Sequence, residues 1–178
     1  MKRIEIRSLG GRRWGDVANA GKEFEKQFKD SMPIDVYYLR LVDSAVGFDV
    51  ANSTQRFAAK SPYDVVLYKH PIMYALELKS TIGTSFSFKG KSPMIKEHQL
   101  KSLRKAAIHC KAGFIFNFRK TNNTYYVPIE AFDSITSYGM VDKSSVNEFD
   151  IARASGTVKI EQKLKKVNFT YDIGILFR

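Results

Sequence analysis

Apolar residues recur along this chain with two spacings, one near four residues and one of two, and the alternation between them predicts the elements. Residues 17–30, VANAGKEFEKQFKD, put Phe24 and Phe28 four apart on one face. That spacing predicts a first helix, with Asn19 as its N-cap. Glu25 borders the apolar stripe of this helix and Glu23 lies on the opposite flank. Residues 35–42, DVYYLRLV, alternate and predict a strand. Residues 63–68 and 73–79 predict two more strands, joined by a turn near Lys69–Pro71. Within 73–79 the two-residue period sends Tyr74, Leu76 and Leu78 to one face and Met73, Ala75, Glu77 and Lys79 to the other.

Residues 80–93 form a polar loop that carries Phe86 and Phe88 among hydroxyl and basic side chains. Those two rings either stack on unpaired bases or tuck back onto the core. Residues 93–111 predict a second long helix, with Pro93 in its first turn. Ile95, Leu100 (or Gln99), Leu103, Ala107 and Cys110 mark its inner face, and Gly113 stops it. Residues 113–118, GFIFNF, are apolar enough for a central strand, and 124–129 follow as another. A short helical turn is expected at 130–135, an irregular stretch at 136–156 and a half-exposed strand at 157–166. Ile173, Ile175 and Phe177 give the C-terminal end a means of docking. The order is helix, three strands, helix, two strands and a tail. It predicts one α/β domain over residues 1–178, with a mixed central sheet flanked by helices.

Composition changes the picture in one respect. The 29 Lys and Arg against 18 Asp and Glu give a net charge of +11, which suits a polyanionic partner. An ordinary basic protein kept soluble by its charge is the plainer alternative. Residues 1–16 hold Arg12 and Arg13 beside the Gly10–Gly11 pair, and read as a basic arm, either frayed or gripping phosphates. Lys89 and Lys91 in the 80–93 loop, and Lys96 and Arg104 on the outer face of the second helix, extend the candidate nucleic-acid surface. Residues 43–60 are weakly patterned and read as a long connection or protruding insertion. No apolar run approaches the about 20 residues that span a bilayer. The N-terminal stretch lacks the apolar segment of a signal peptide, and the single Cys110 allows no internal disulfide. A reducing, cytoplasmic setting is therefore expected.

The charged residues of the second hairpin strand are the odd feature. Asp64 lies on the first strand, and Glu77 and Lys79 share a face of the second. Phosphodiester cleavage needs an activated water, neutralisation of the charge growing on phosphorus and a stabilised leaving oxygen. One or two Mg²⁺ ions held by acidic oxygens supply all three, and Mn²⁺ commonly substitutes. Asp64 and Glu77 on adjacent antiparallel strands can converge on such an ion, with the backbone carbonyl of Leu78 close by. Lys79 can hold the attacking water, and Glu25 can add a carboxylate from the first helix. The plainer alternative is a surface ion pair of Glu77 with Lys79 and a capping Asp64. His98 and His109 lie about three turns apart on one helix, too far to share a metal, and no phosphate-binding GxxxxGK[ST] loop is present.

Pro62-Tyr63-Asp64 followed by Glu77-Leu78-Lys79, with Glu25 upstream, resembles the PD-(D/E)xK nuclease superfamily. More narrowly, Asn19-Ala20-Gly21 with Glu25, then Thr84-Ser85-Phe86 and His98-Gln99, resemble RecU-type Holliday junction resolvases of Gram-positive bacteria and their phages. The ordered match covers roughly residues 19–118. The resemblance implies a restriction-endonuclease-like αβββαβ core, a homodimer and Mg²⁺-dependent cutting of four-way DNA junctions in recombination and repair. It implies Glu25, Asp64 and Glu77 as metal-binding carboxylates, Lys79 as the catalytic lysine and Gln99 as their companion. The chain departs from the family between Glu25 and Asp64, a segment shorter than in bacterial members, which insert a stalk into the junction there; residues 43–60 read as a reduced stalk. A restriction-like or repair-type duplex nuclease and a non-catalytic DNA-binding module are the rival readings. The sequence leaves any recombinase partner open.

Overall fold

The computed structural model describes residues 15–42, 60–137 and 143–178, with the backbone alone for 15–19. Arg12, Arg13 and residues 43–59 lie outside the described residues, and with them most of the basic arm and of the proposed stalk. The first helix, α1 (Gly15–Asp30), buries Phe24 and Phe28 as their spacing predicts. Asn19 lies inside this helix and is not its cap.

Five strands follow the predicted order: β1 (Tyr37–Arg40), β2 (Val65–Lys69), β3 (Ile72–Thr81), β5 (Lys111–Phe118) and β6 (Asn123–Pro128). β8 (Val158–Ile160) completes a six-stranded sheet in the order β1-β2-β3-β5-β6-β8. Only β3 and β5 run parallel; the other neighbours are antiparallel. The parallel pair is joined through α2 (Glu97–Ala107), the crossover that a parallel connection requires. The sheet is therefore mixed and flanked by helices. α1 and a closing 3₁₀ turn (Ile173–Phe177) cover one face, where Phe24, Phe28, Leu76, Leu78, Ile115 and Tyr171 pack. α2, α3 (Ile129–Ser137) and α4 (Glu148–Arg153) cover the other, around Ile95, Leu103, Phe114, Phe116 and Phe132. β5 lies between these layers, and every residue after Lys111 in it is buried.

Several expectations shift. The second helix starts at Glu97 and ends at Ala107, so Pro93 precedes it and Cys110 follows it. Gly113 does not stop that helix. It sits inside β5, where a Cβ would lie 2.1 Å from the Val127 carbonyl oxygen, so the close approach of β6 demands glycine. Phe86 is fully buried against Phe116 and Phe118, and Phe88 packs on Phe132, so both rings belong to the core. The stretch expected to be irregular holds β7 (Ser145–Asn147) and α4. β7 pairs with β4 (Ser85–Ser87), Val146 opposite Phe86, and the Asn147 carboxamide oxygen caps α4 through the Asp150 N–H at 2.8 Å. The single strand expected at 157–166 divides into β8 and β9 (Gln162–Lys165), and β9 forms a hairpin with β10 (Asn168–Tyr171). Ile173 docks as expected, whereas Leu176, not Ile175 or Phe177, is its fully buried companion. No helix among the described residues is long and apolar enough to cross a membrane.

Candidate active site

β2 begins one residue after Asp64, yet the Asp64 backbone is held on both sides. Its N–H donates to the Leu76 carbonyl at 3.1 Å, and its carbonyl accepts from the Leu41 N–H at 2.8 Å. The paired register ends with Val65 opposite Leu76, and Asp64, just beyond it, lies close enough to Glu77 to raise the pKa of its carboxyl. Asp64 stands just before β2, and its side chain turns toward β3. Its Oδ2 accepts a hydrogen bond from the Leu78 N–H at 2.8 Å. In an extended strand the carbonyl of a residue points to the same side as its N–H. The Leu78 carbonyl therefore faces this same open edge, where β3 outruns the end of β2.

Glu77 is buried, with 2% of its surface exposed. Its Oε1 lies 2.8 Å from the Lys79 ammonium and also accepts a hydrogen bond from Gln99 Nε2. Gln99 reaches it from the first turn of α2. There its own Oε1 accepts the Lys96 N–H at 2.9 Å, and the Gln99 N–H donates back to the Lys96 backbone carbonyl at 3.0 Å. That backbone bond fixes which end of the amide faces Glu77, since the oxygen is already committed. Burial pushes the Glu77 carboxyl up to about 7; the Lys79 ammonium opposes the rise, and the neighbouring Asp64 carboxylate adds to it. Asp64, Glu77, Lys79 and Gln99 thus meet at one place, on the face predicted for Glu77 and Lys79. Two carboxylates and a carbonyl give it hard oxygen donors, and an ammonium stands beside them.

Glu25 is not gathered into this group. It projects from α1, on the other face of the sheet, and pairs with the Arg40 guanidinium of β1. Among the described residues no three His, Cys, Asp or Glu side chains are clustered as a metal-holding group. Arg40 escaped the sequence reading, although the alternation of β1 sets it and Tyr38 on one face, toward α1. Of the expected cationic surface, Lys89, Lys91 and Lys96 are exposed. Arg104 makes a two-pronged ion pair with Asp133 of α3, at 2.9 and 2.7 Å, and so ties α2 to α3.

No protein-family model matches the chain. Among solved structures, it is similar to the Holliday junction resolvase Hjc of Archaeoglobus fulgidus. That likeness covers 77% of this chain and 89% of the other, with a TM-score of 0.43 and 11% identity. Among curated proteins, the SPbeta prophage-derived uncharacterized protein YotM of Bacillus subtilis (strain 168) is 32% identical over 169 residues. The match covers 86% of this chain and 82% of the relative. At that identity and coverage, the chain belongs to the family of the Bacillus subtilis prophage protein YotM.

Proposed function

We propose that this protein is a Mg²⁺-dependent DNA endonuclease that cuts four-way junctions, a resolvase of phage or prophage type. One observation carries the reading: a buried glutamate, held by a lysine and a glutamine, stands beside an aspartate whose carboxylate is fixed by the next backbone N–H of the same strand. An ordinary hairpin has no use for a carboxylate buried at Glu77 beside a second one at Asp64. The resemblance of the ordered motifs to RecU-type resolvases supports junction cutting, and the net charge of +11 supports a DNA partner. The prophage origin of the relative accords with a phage-type enzyme.

The donor set fits a hard divalent cation. Asp64, Glu77 and the Leu78 carbonyl present oxygen atoms, which Mg²⁺ prefers while keeping several waters. A cation there also favours the ionised form of Glu77, which burial disfavours. When bound, the ion supplies Lewis-acid polarisation of the phosphodiester and lowers the pKa of a coordinated water. Lys79 sets an ammonium beside the scissile phosphate, offsets its charge and orients the attacking water. Gln99 holds the Glu77 carboxylate in place from α2 and keeps the strand and helix in register. Glu25, tied to Arg40, acts as a neighbouring charge that orders the β1 edge. Lys89, Lys91 and Lys96 contact phosphates.

The test uses end-labelled four-way junction, flap, duplex and single-stranded DNA with Mg²⁺, comparing the wild type with Asp64→Asn. The junction should be cut in preference to the others, and Asp64→Asn should bind it without cutting. Equal cutting of duplex would move the reading to a restriction-like or repair-type nuclease. Binding without cutting by the wild type would leave only a DNA-binding module.

A further inference from the structure

A cavity of about 220 Å³ lies between α1, the β5–β6 turn and the β9–β10 hairpin, on the face of the sheet opposite Glu77. Its volume is below the about 300–1,000 Å³ that takes drug-sized ligands, so it suits one small ring system. The lining is mixed in polarity. Arg119 borders the cavity and is anchored by its backbone N–H on the Thr81 carbonyl, at 2.9 Å. Its Nε is buried with no hydrogen-bond partner among the described residues. That atom is shielded from the cavity, so Arg119 meets a guest there through the rest of its guanidinium, which carries further N–H donors.

The other polar groups are fixed in orientation. Ser80 donates to Asn117 Oδ1 at 2.8 Å, Asn117 Nδ2 to Thr124 at 2.9 Å, and Thr124 to Gln162 Oε1 at 2.7 Å. This chain commits the Gln162 oxygen and leaves its Nε2 donors to the cavity that Gln162 lines. On the α1 side, Glu23 adds a carboxylate whose Oε1 accepts from Gln27 Nε2 at 3.0 Å. Phe24 and Phe169 supply apolar walls.

This combination discriminates among ligand classes. A carboxylate opposes a site dedicated to phosphate. Unused donors on Arg119 and Gln162 oppose a purely apolar guest. A flat heteroaromatic ring with donors and acceptors around its edge satisfies both sets. The surroundings point the same way. β3 runs from Lys79 through Ser80 to Thr81, which anchors Arg119, so the cavity rim starts about 7 Å along the strand from Lys79. Exposed Lys120 stands on the β5–β6 turn, and exposed Lys163, Lys165 and Lys166 stand on the hairpin, placed to meet a phosphate backbone.

We propose that this cavity binds a single unpaired nucleobase of a DNA strand whose phosphates follow the lysines of the β9–β10 hairpin. The proposal rests on the reading of the protein as DNA-binding, and deepens it by adding a base-holding subsite behind the catalytic strand. Arg119 and Gln162 donate to the base edge, Glu23 accepts from it, and the aromatic walls flank its face.

The test is fluorescence anisotropy in EDTA on two labelled duplexes, one with a single bulged base and one with an abasic bulge at the same position. The wild type should bind the base-bearing bulge about tenfold more tightly. Arg119→Met and Glu23→Gln should each lose that preference while still binding DNA. Glu23 is exposed, and glutamine keeps an acceptor for Gln27, so this variant reports even where Arg119→Met folds poorly. Equal affinity for the two bulges in the wild type, or an intact preference in folded Glu23→Gln, overturns the proposal. Cleavage with Mg²⁺ is assayed on the same preparations. Intact cleavage without base preference removes only the cavity, and base preference without cleavage removes only the nuclease.

Discussion

Replacing Glu77 with glutamine should make the metal-free protein more stable at alkaline pH, although it deletes an ion pair. The Glu77 carboxyl is displaced upward from 4.5 to about 7, chiefly by burial. Between those two values the folded state keeps a proton that the unfolded chain has released. Stability therefore falls as pH rises through that window and is fully retained only below it. At about 1.4 kcal/mol per pH unit, the ionised folded protein carries a penalty of about 3 kcal/mol relative to one with a neutral group there. Glutamine has the shape and hydrogen-bonding of the neutral form, and can still meet Gln99 and Lys79. Glu77→Gln should match the wild type near pH 4.5 and exceed it by about 3 kcal/mol at pH 8.5. For a chain of this size that is roughly 6–12 °C in Tm. The assay is thermal denaturation followed by circular dichroism in EDTA from pH 4.5 to 9. Titrating groups away from the site are common to both proteins and cancel in the difference. Parallel profiles, or a variant less stable at every pH, would refute the reasoning. Glu77 would then be a paired charge that stabilises the fold, and not one held against its solvation.

Three further outcomes follow from named contacts. Gln99→Leu removes the amide from both Glu77 and the Lys96 N–H; it should cost about 1–2 kcal/mol by urea denaturation and reduce cleavage while sparing DNA affinity. Gly113→Ala drives a methyl against the Val127 carbonyl; it should destabilise by about 2–4 kcal/mol, read as a lower urea midpoint. Lys91→Ala with Lys96→Ala should weaken junction binding and lower the salt slope of log K by up to about 2, measured by anisotropy between 50 and 200 mM salt.

Legibility in the sequence followed the range of the forces involved. The β2–β3 hairpin could be read because its two-residue alternation is local and because Glu77 and Lys79 break an apolar pattern. The common face of Glu77 and Lys79 follows from that period, and the convergence of Asp64 on Glu77 from the two strands being adjacent. Gln99 was legible only through resemblance, since its reach to Glu77 depends on how α2 crosses back over the sheet. Gly113 was misread as a helix stop because the Val127 carbonyl that demands it is distant in sequence. β7 and α4 were hidden for a similar reason. A three-residue strand has no pattern of its own, and it exists by pairing Val146 with Phe86. Glu25 bordered its apolar stripe as expected, but its partner Arg40 lay in a strand whose charge had been passed over.

The centre of this account is that Asp64 and Glu77 hold a divalent cation at the end of β3. A crystal soaked in Mn²⁺ and measured at the manganese absorption edge tests it most directly. The account predicts an anomalous peak within coordinating distance of the Asp64 and Glu77 carboxylates and the Leu78 carbonyl, absent from Asp64→Ala. A wild-type crystal with no peak there, or a peak that persists in Asp64→Ala, would contradict it.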